Sequence, residues 1–579
     1  MVANRTGAVR GGRRWFLAMG GGATAAAALA ATGCQGGTTK PRPTSTAERS
    51  TAPATQLTSS GTPTNAGTAT TTLRYTGFVS GDGVYDPHKT QAGPFYGQQA
   101  LVYSRLLAYS SQVDGTIVAD LAVSLPEQPD SLTYLFRLNQ NARWHNQPPV
   151  NGRPVTSEDV KFSIVRQQSG DTSFVRKAQW TNIESIETPS PDRVVVKLKT
   201  PLATGANLFA DVNSFIVSPE MEKAGFTADR QVGSGPFRWV EWSEGKFATV
   251  ARNPTWHGGN SRPYLDGITL RQAQNVSEIE AGLRTKALDV AFVGRKTANQ
   301  LRAAKPELQE RAQTLAQFYG IRFFLPQFPF NDVRFRSAVS YALDRRAMIS
   351  RFFADSGEVN PWVSTAIRRW SLPQAELATI AGYRPGTGGR AEDVKDARAL
   401  LSAVKADKTL PSELPLFVVD AAEKAIGMGT TIRDQLQETL DLNVKVFPIP
   451  IGELASRVFS QNGPWAAAPD IGWVDLDDWL YPYFHSSGTN NSFALKDGAM
   501  DALIEAQRIE LNEARRREIG FEIQRKLLAL NAGINLVSET VVGINWPYVK
   551  GFPFDAADGY QHRLADCRLD PADPTFKGR

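Results

Sequence analysis

The order of apolar and polar residues along the chain predicts strands interleaved with helices. Alternating segments rich in β-branched and aromatic residues predict strands at 71–77, 133–138, 193–198, 247–251 and 320–325. Apolar residues three and four positions apart predict a helix that Ser157 opens, a longer helix that Asp332 caps and that runs past Leu343, and two consecutive helices within 500–530. Such interleaving over several hundred residues indicates α/β layers, without an internal repeat.

The first 34 residues have the pattern of an export signal. Arg13 and Arg14 precede an apolar run rich in Gly and Ala at 15–33, and no acidic residue stands before that run. The letters RRWFL resemble the twin-arginine export pattern. That pattern favours Ser or Thr where Gly12 stands, so the general secretory route remains an alternative.

The apolar run ends in ATGC, which resembles a lipoprotein cleavage box. We therefore expect Cys34 to be acylated and to become the new N-terminus, so that a lipid anchors the protein to the membrane. A plain secretory signal cut near Ala31 and an uncleaved anchor are the alternatives. Residues 35–71 are rich in Thr, Ser, Pro, Gly and Ala and predict a flexible linker, because they offer little apolar surface to bury.

Length and net charge limit the kinds of protein to which the chain can belong. The 579 residues exceed the roughly 250–300 at which a single core stops growing, so two or more domains are expected. Four arginines of the export signal carry most of the formal net charge of +6, which removes the support for nucleic-acid binding. No other stretch approaches the roughly 18 apolar residues that a membrane span requires.

The common catalytic and metal-binding motifs are missing, so we expect a protein that is not an enzyme and holds no metal or cofactor. The sequence has no G-x-S-x-G elbow, no phosphate-binding P-loop, no H-E-x-x-H motif and no cysteine pair. With Cys34 acylated, Cys567 has no disulfide partner. The five histidines are dispersed and are expected to be hydrogen-bonded structural residues: His88, His145, His257, His485 and His562.

One acidic stretch, IGWVDLDDWLYPYFHSSGTNN, is the main candidate for a binding site. It places three carboxylates among aromatic side chains: Asp475, Asp477 and Asp478 among Trp473, Trp479, Tyr481 and Tyr483. On an extended segment, Asp475 and Asp477 would share one face about 6.6 Å apart, which also fits the carboxylate pair of a glycosidase. A calcium loop is disfavoured, because Leu480 stands where an EF-hand needs Gly. Solvated loop carboxylates are the third interpretation.

Six short segments between residues 84 and 349 carry a family resemblance. They read VYDPHKT, VYSRLLAY, GTIVADLAVSL, LTYLFRLNQNARWHNQPPVNGRPVTSEDVKFSI, VGSGPFRW and PFNDVRFRSAVSYALDRRAMI. In this order and spacing they resemble the family 5 extracellular solute-binding proteins, the peptide- and nickel-binding class that feeds ATP-driven importers. The resemblance extends from residue 73 to about residue 552.

This resemblance implies an α/β, two-lobed periplasmic-binding-protein-like fold (type II, cluster C) with an extra subdomain in lobe one. The implied boundaries are 72–108, 215–317 and 547–579 for lobe one, 109–214 for the subdomain and 318–546 for lobe two. Two chain crossings, near 317–320 and 544–547, would absorb the rotation of the hinge.

The resemblance also implies site residues. The acidic stretch falls in lobe two, where peptide-binding members place an Asp that meets the α-ammonium of the ligand. Counting from Trp473, Asp475 is the first candidate and Asp477 the second, and either can instead belong to a structural salt bridge. Neighbouring aromatic faces would pack a ligand side chain or a sugar ring. Further candidates are Gln91, Ala92 and Gly93, as an edge that hydrogen-bonds an extended ligand, and Phe174 and Trp465, as ligand covers or core residues.

The function that the resemblance implies is capture of an oligopeptide or similar solute by hinge closure. We expect a monomeric lipoprotein of the cell envelope, on the outer face of the cytoplasmic membrane or in the periplasm. Its partners would be a membrane permease and the ATPase of that permease, and no nucleic acid. An oligosaccharide-binding member of the same family, a tethered hydrolase and a ligand sensor are the alternatives.

Overall fold

The export signal, Cys34 and almost all of the predicted linker lie outside the residues that the structure describes. The structure is a computed structural model, and it describes residues 71–579 apart from 78, 80–82, 91–92, 112–114, 172, 260, 274, 421–422, 451–452, 455–456, 459–464, 471–473, 489–490, 555–558 and 560.

Strands run through the whole described chain. They are β1 (Thr72–Thr76), β2 (Leu107–Ser111), β3 (Thr116–Ala119), β4 (Thr133–Arg137), β5 (Ile183–Ser190), β6 (Arg193–Leu198), β7 (Phe237–Ser243), β8 (Phe247–Arg252), β9 (Gly267–Arg271), β10 (Val290–Val293), β11 (Gln309–Thr314), β12 (Phe318–Phe323), β13 (Gly357–Val359), β14 (Leu414–Val419), β15 (Val444–Ile449), β16 (Trp465–Asp470), β17 (Gly533–Asn545), β18 (Val549–Lys550) and β19 (Arg568–Leu569).

Helices alternate with these strands. They are α1 (Gly93–Val102), α2 (Ser157–Gln168), α3 (Lys177–Trp180), α4 (Gly205–Leu208), α5 (Pro219–Ala224), α6 (Val276–Arg284), α7 (Arg295–Ala304), α8 (Val333–Ala342), α9 (Arg345–Phe353), α10 (Gln374–Leu377), α11 (Gly386–Asp407), α12 (Glu423–Leu440), α13 (Leu476–Phe484), α14 (Gly498–Ile509) and α15 (Glu513–Leu530), followed by 3₁₀ turns at Gln561–Asp566 and Pro574–Phe576. None of the described helices is long and apolar enough to cross a bilayer.

Most predicted elements are confirmed, with small shifts in their bounds. Asp332 caps α8, but that helix ends at Ala342 because Leu343 takes an extended conformation (ψ 123°) and Asp344 caps a new helix, α9. The single longer helix predicted past Leu343 is therefore wrong. The strand predicted at 320–325 begins and ends two residues earlier, as β12.

One strand, β17, joins the two lobes. The large sheet has the strand order β15-β14-β16-β12-β17-β10-β1-β9-β8-β7, and β11 and β13 also pair with β17. The first part of β17, up to Glu539, pairs with β12 and β13 of lobe two, whereas its last part, from Thr540, pairs with β10 and β11 of lobe one. The chain therefore passes between the lobes within β17, several residues before the expected crossing at 544–547.

The described residues form three large apolar cores. One lies in lobe two and ends with Val537 of β17, and a second lies in lobe one and includes Val542 and Ile544 of the same strand. The third core belongs to the subdomain, which packs helices against the three-stranded sheet β4-β6-β5. One residue that follows β16 in lobe two, Val474, packs in this subdomain core, so the two bodies touch across the cleft.

The glycines of the VGSGPFRW segment allow a close approach between backbones. A Cβ on Gly233 or on Gly235 would collide with the main chain of Val102 at the end of α1. Gly235 N–H donates to the carbonyl oxygen of Val102 at 2.8 Å, so this contact fixes the loop against the helix. The segment therefore serves the packing of lobe one, where only Gly leaves enough room.

Candidate functional site

The acidic stretch opens a helix rather than an extended segment. Asp475 is the N-cap of α13, and its Oδ1 accepts a hydrogen bond from Asp477 N–H at 2.9 Å. An aspartate at this position satisfies an N–H group that has no partner within the helix. Asp477 and Asp478 follow in the first turn. Successive helical residues do not alternate between two faces, so the expectation that Asp475 and Asp477 share one face of a strand is wrong, and with it the glycosidase geometry.

The carboxylate of Asp475 is fully engaged by protein groups. Arg516 of α15 donates from both terminal nitrogens, at 3.0 Å to Oδ2 and 2.5 Å to Oδ1. Asn207 of the subdomain donates from Nδ2 to Oδ2 at 2.7 Å. Asp475 is only 3% exposed, so its carboxylate takes part in a contact between the lobes and does not face an open cleft. This differs from the expectation that Asp475 meets the ligand.

Asp477 is engaged within lobe two. Its carboxylate accepts a hydrogen bond from Gln507 Nε2 at 2.7 Å and one from Arg508 Nε at 3.1 Å, both at the end of α14. Burial raises the pKa of this carboxyl, although Arg508 lowers it. Both ligand candidates chosen from the sequence therefore have protein partners, as the salt-bridge alternative predicted.

The third carboxylate, Asp478, differs from the other two. Within the described residues, no side chain or backbone group forms a hydrogen bond or an ion pair with it, and it is partly exposed. Its charged neighbours across the cleft belong to the subdomain, Arg176 and Asp211. Burial raises the pKa of the Asp478 carboxyl to about 8, although Arg176 lowers it. The other carboxylates nearby raise this pKa further: Asp211, Asp475 and Asp477.

The subdomain side of the cleft is built around an ion pair. Arg176 donates to Asp211 from Nε at 2.7 Å and from a terminal nitrogen at 2.5 Å. Asp211 also accepts a hydrogen bond from Asn213 N–H at 3.0 Å, which fixes the loop that follows α4. With Asp478 opposite, the cluster holds two carboxyl groups and one guanidinium. When Asp478 is ionised, the cluster can accept one more positive charge.

Further contacts join the subdomain to lobe two beside this cluster. Ala203 N–H donates to the carbonyl oxygen of Arg508 at 2.6 Å. Arg369 donates to the carbonyl oxygen of Gly115 at 3.0 Å and is itself paired with Glu513, the first residue of α15, at 2.7 Å. The first turn of α15 thus orients side chains that reach the subdomain at two points, through Arg369 and through the Arg516–Asp475 pair.

Two aromatic candidates lie in cores. Trp465 is 1% exposed and stacks on Phe323 with ring centroids 6.0 Å apart, inside lobe two. Phe174 of the subdomain is 5% exposed and lies beneath the Lys89 ammonium and the Arg166 guanidinium, at 4.7 and 5.1 Å. Both positions fit the core alternative given for them.

The other candidates are only partly described. Gly93 is the first residue of helix α1, so it does not belong to an extended edge. Gln91, Ala92 and Trp473 lie outside the described residues.

Metal and thiol chemistry find no support in the described part of the chain. No group of three or more potential ligands is arranged there to hold a metal ion. His88 and His145 form hydrogen bonds with the carbonyl oxygens of Phe215 and Gly235, and burial lowers the pKa of each imidazole to about 4. Cys567 is buried, and burial raises the pKa of its thiol to about 12, which disfavours the reactive thiolate.

Sequence reasoning missed several residues of this site, and for most of them no signal was available. Arg176, Asn207 and Asp211 lie at least 260 residues before the acidic stretch and match no motif. Asp478 had a signal: an Asp followed by acidic residues and then apolar residues at helical spacing is typical of a helix start, where Asp475 becomes a cap.

Comparisons with known proteins agree with this architecture. A Brucella ovis protein that is named an ABC transporter peptide-binding protein is 27% identical to this chain over 314 residues. The aligned part covers 53% of this chain and 55% of that protein. The chain thus matches about half the length of the curated relatives. Among solved structures, AgaA of A. tumefaciens R10 in complex with agropinic acid has a TM-score of 0.68 and 22% identity, covering 86% of this chain and 99% of that one. DppA of Helicobacter pylori in complex with the peptide STSA has a TM-score of 0.70 and 19% identity, covering 86% and 98%.

These likenesses confirm the expected α/β, two-lobed periplasmic-binding-protein-like fold. The family model "Bacterial extracellular solute-binding proteins, family 5 Middle" matches residues 116–492, more than half of the chain. That match includes most of the subdomain, the greater part of lobe two and the whole of α13. The chain therefore belongs to the family 5 bacterial extracellular solute-binding proteins.

Proposed function

We propose that this protein captures a small solute with a positively charged group, such as the amino end of a peptide, by closing its two lobes around it. The solute then passes to a membrane permease driven by an ATPase. Family membership, the relative named as a peptide-binding protein and the solved relative with a bound peptide support this proposal. In this proposal the protein binds its solute and does not convert it.

The observation that carries the proposal is the carboxylate of Asp478. It stands between the lobes with no hydrogen-bond or ion-pair partner among the described residues, whereas Asp475 and Asp477 beside it are paired. Enclosing an unpaired carboxylate costs several kcal/mol. A solute ammonium at hydrogen-bond distance offsets this cost and forms a charge-assisted bond. We therefore assign the role that the sequence suggested for Asp475 or Asp477 to Asp478.

Other site residues remain proposals from the sequence alone. Trp473 precedes the acidic helix and offers an aromatic face to the apolar part of a solute. Gln91 and Ala92 lead into α1 and offer backbone groups to an extended ligand. These three positions lie outside the described residues, so their support is the resemblance of the segments around them.

Calorimetry with matched peptides tests the assignment. A tripeptide with a free amino end is expected to bind the wild type at least tenfold more tightly than its N-acetylated form. In Asp478→Asn, the affinity for the free peptide should fall by at least tenfold, because a buried ion pair loses one partner. Affinity for the acetylated form should not fall. Asp434→Asn, at an exposed position of α12, is the matched control and should leave both affinities unchanged.

Three results would contradict the proposal. A preference for the free amine that persists in Asp478→Asn would show that another group binds the cation. Binding of cello-oligosaccharides without any peptide would favour the sugar-binding alternative. Product formation from a bound solute, followed by mass spectrometry, would favour a hydrolase.

We also propose that Cys34 is acylated and holds the protein at the outer face of the cytoplasmic membrane or in the periplasm. The support is the sequence ATGC at the end of the apolar run and the linker that follows it. Cys34→Ala should release the protein into the soluble fraction, whereas an uncleaved anchor would keep this variant in the membrane. Replacing Arg13 and Arg14 by Lys should block export if the twin-arginine route is used and spare it if the general route is used.

A further inference from the structure

We propose that Asn207, Asp475 and Arg516, the interlobe triad, hold the subdomain against lobe two whether or not a solute is bound. This inference rests on the proposed capture by lobe closure, but not on the chemistry of the solute. Asn207 and Arg516 are then positioning residues, which set how readily the cleft closes and never touch the ligand.

The first argument is the geometry of the triad. Asp475 receives two hydrogen bonds from Arg516 within lobe two and one from Asn207 of the subdomain, at 3.0, 2.5 and 2.7 Å. The side chains of Arg516 and Asp475 are 4% and 2% exposed. A hydrogen bond with a charged acceptor in such a protected place is stronger than one between neutral groups.

The second argument is charge. Arg516 is fixed inside lobe two by Gln507, whose carbonyl oxygen and Oε1 accept from it at 3.1 and 3.2 Å, and it lies 4.8 Å from the Trp370 ring centroid. The Arg516–Asp475 pair is thus assembled before the lobes meet and is neutral as a whole. The subdomain can cover a neutral pair at much less cost than a lone carboxylate. The contact needs no cation from the solute.

The third argument is that apolar and backbone contacts accompany the triad. Val474, the residue before Asp475, packs in the subdomain core. Ala203, four residues before Asn207, donates its N–H to the carbonyl oxygen of Arg508 at 2.6 Å. Short segments of the subdomain and of lobe two therefore contact each other through backbone hydrogen bonds, side-chain hydrogen bonds and apolar packing. This combination is expected of two surfaces that are complementary when the lobes close.

The test measures closure without any solute. Dyes are attached to Glu187→Cys on the subdomain and Glu438→Cys on α12, both at exposed positions, in the full chain carrying Cys34→Ala. Cys567 is buried and will not take a dye. Single-molecule energy transfer then gives the ratio of closed to open molecules. Asn207→Ala should lower this ratio by about tenfold, and Asn207→Asp by more, because it sets a like charge against Asp475.

The matched control is Asn182→Ala. Asn182 Nδ2 donates to the carbonyl oxygen of Thr200 at 3.1 Å, a contact within the subdomain, so this variant should keep the wild-type ratio. An unchanged ratio in both Asn207 variants would overturn the triad. If the ratio falls as expected and no cationic solute binds in calorimetry, the triad stands and the proposed solute class fails. If Asn207→Ala alters only the solute-bound state, the triad fails and the solute class stands.

Discussion

Two carboxylates at the N-terminus of α13, Asp475 and Asp478, are three residues apart in the sequence but have different electrostatic surroundings. Asp475 is paired with Arg516 of its own lobe and also accepts a hydrogen bond from Asn207 of the subdomain. Asp478 has no partner within the described residues and meets Asp211 as well as Arg176 across the cleft. Charge that is neutralised within one lobe can support closure by itself, whereas unneutralised charge makes closure depend on a cation or a proton from outside.

The largest expected effect comes from removing the partner of Asp475. Arg516→Met leaves a buried carboxylate without its counter-charge and should lower the free energy of unfolding by about 3–5 kcal/mol. Denaturant unfolding followed by circular dichroism measures this loss. The double variant Arg516→Met with Asp475→Asn should recover much of it, because the charge is removed together with its partner. Equal stability of the single variant and the wild type would refute the paired setting of Asp475.

A substitution at Asp478 should have the opposite sign. Asp478→Asn removes a partly buried carboxyl that has no hydrogen-bond or ion-pair partner among the described residues, so the ligand-free protein should gain about 1–3 kcal/mol in stability or in closure. The thermal midpoint and the closed fraction measure this gain. Asp475→Asn should lower both quantities, because Arg516 then loses its counter-charge. The comparison fails if the two variants shift stability in the same direction.

The pH dependence of closure should distinguish Asp478 from Asp475 further. Over any single pH unit, the change in the closed fraction should be smaller than the effects of the substitutions above. The pKa of the Asp478 carboxyl is raised to about 8, from an ordinary value of 3.8, where the subdomain and lobe two are in contact, as they are in this structure. A raised carboxyl pKa favours the closed state below the ordinary pKa, and this contribution is lost as the pH rises through about 8. The ligand-free closed fraction should therefore fall between about pH 4 and pH 8.

The control for this titration is Asp478→Asn, which should abolish the fall of the closed fraction between about pH 4 and pH 8. The other charged groups near Asp478 remain in the variant: Arg176, Asp211, Asp475, Asp477 and Arg516. A profile that is unchanged in Asp478→Asn would show that a group other than Asp478 causes the pH dependence.

The smallest expected effect lies at the edge of the contact. Arg369 reaches Gly115 across the cleft, but its partner Glu513 is 54% exposed, and such pairs contribute about 0–1 kcal/mol. Arg369→Ala should therefore lower the closed fraction by only a few-fold in the same energy-transfer measurement. A loss as large as that of Asn207→Ala would show that the triad is not the principal contact.

Local rules predicted much of the fold. Asp332 caps a helix as expected, the two helices within 500–530 are present as α14 and α15, and four of the five predicted strands begin within one residue of their expected start. Each of these features depends on neighbouring residues: capping needs one side chain, and periodicity needs about ten. The errors arose where local patterns compete, as at Leu343, where Asp344 starts a second helix.

The point at which the chain passes between the lobes was harder to predict from the sequence. All but one residue of β17 is buried, so its sequence has no alternation from which the partner strands can be read. The change from β12 and β13 to β10 and β11 along this strand is fixed by the packing of the two cores around it.

The sequence by itself determined the family, the α/β class and the stretch that holds the candidate site, because ordered motifs and local periodicity survive without any contact between distant residues. Only the tertiary structure decided which of the three carboxylates has no partner in the part of the chain that the structure describes. The partners of Asp475 lie 41 and 268 residues away in the sequence, as Arg516 and Asn207. Whether an aspartate meets a ligand or a neighbouring arginine depends on charges that come together only when both lobes are folded and in contact.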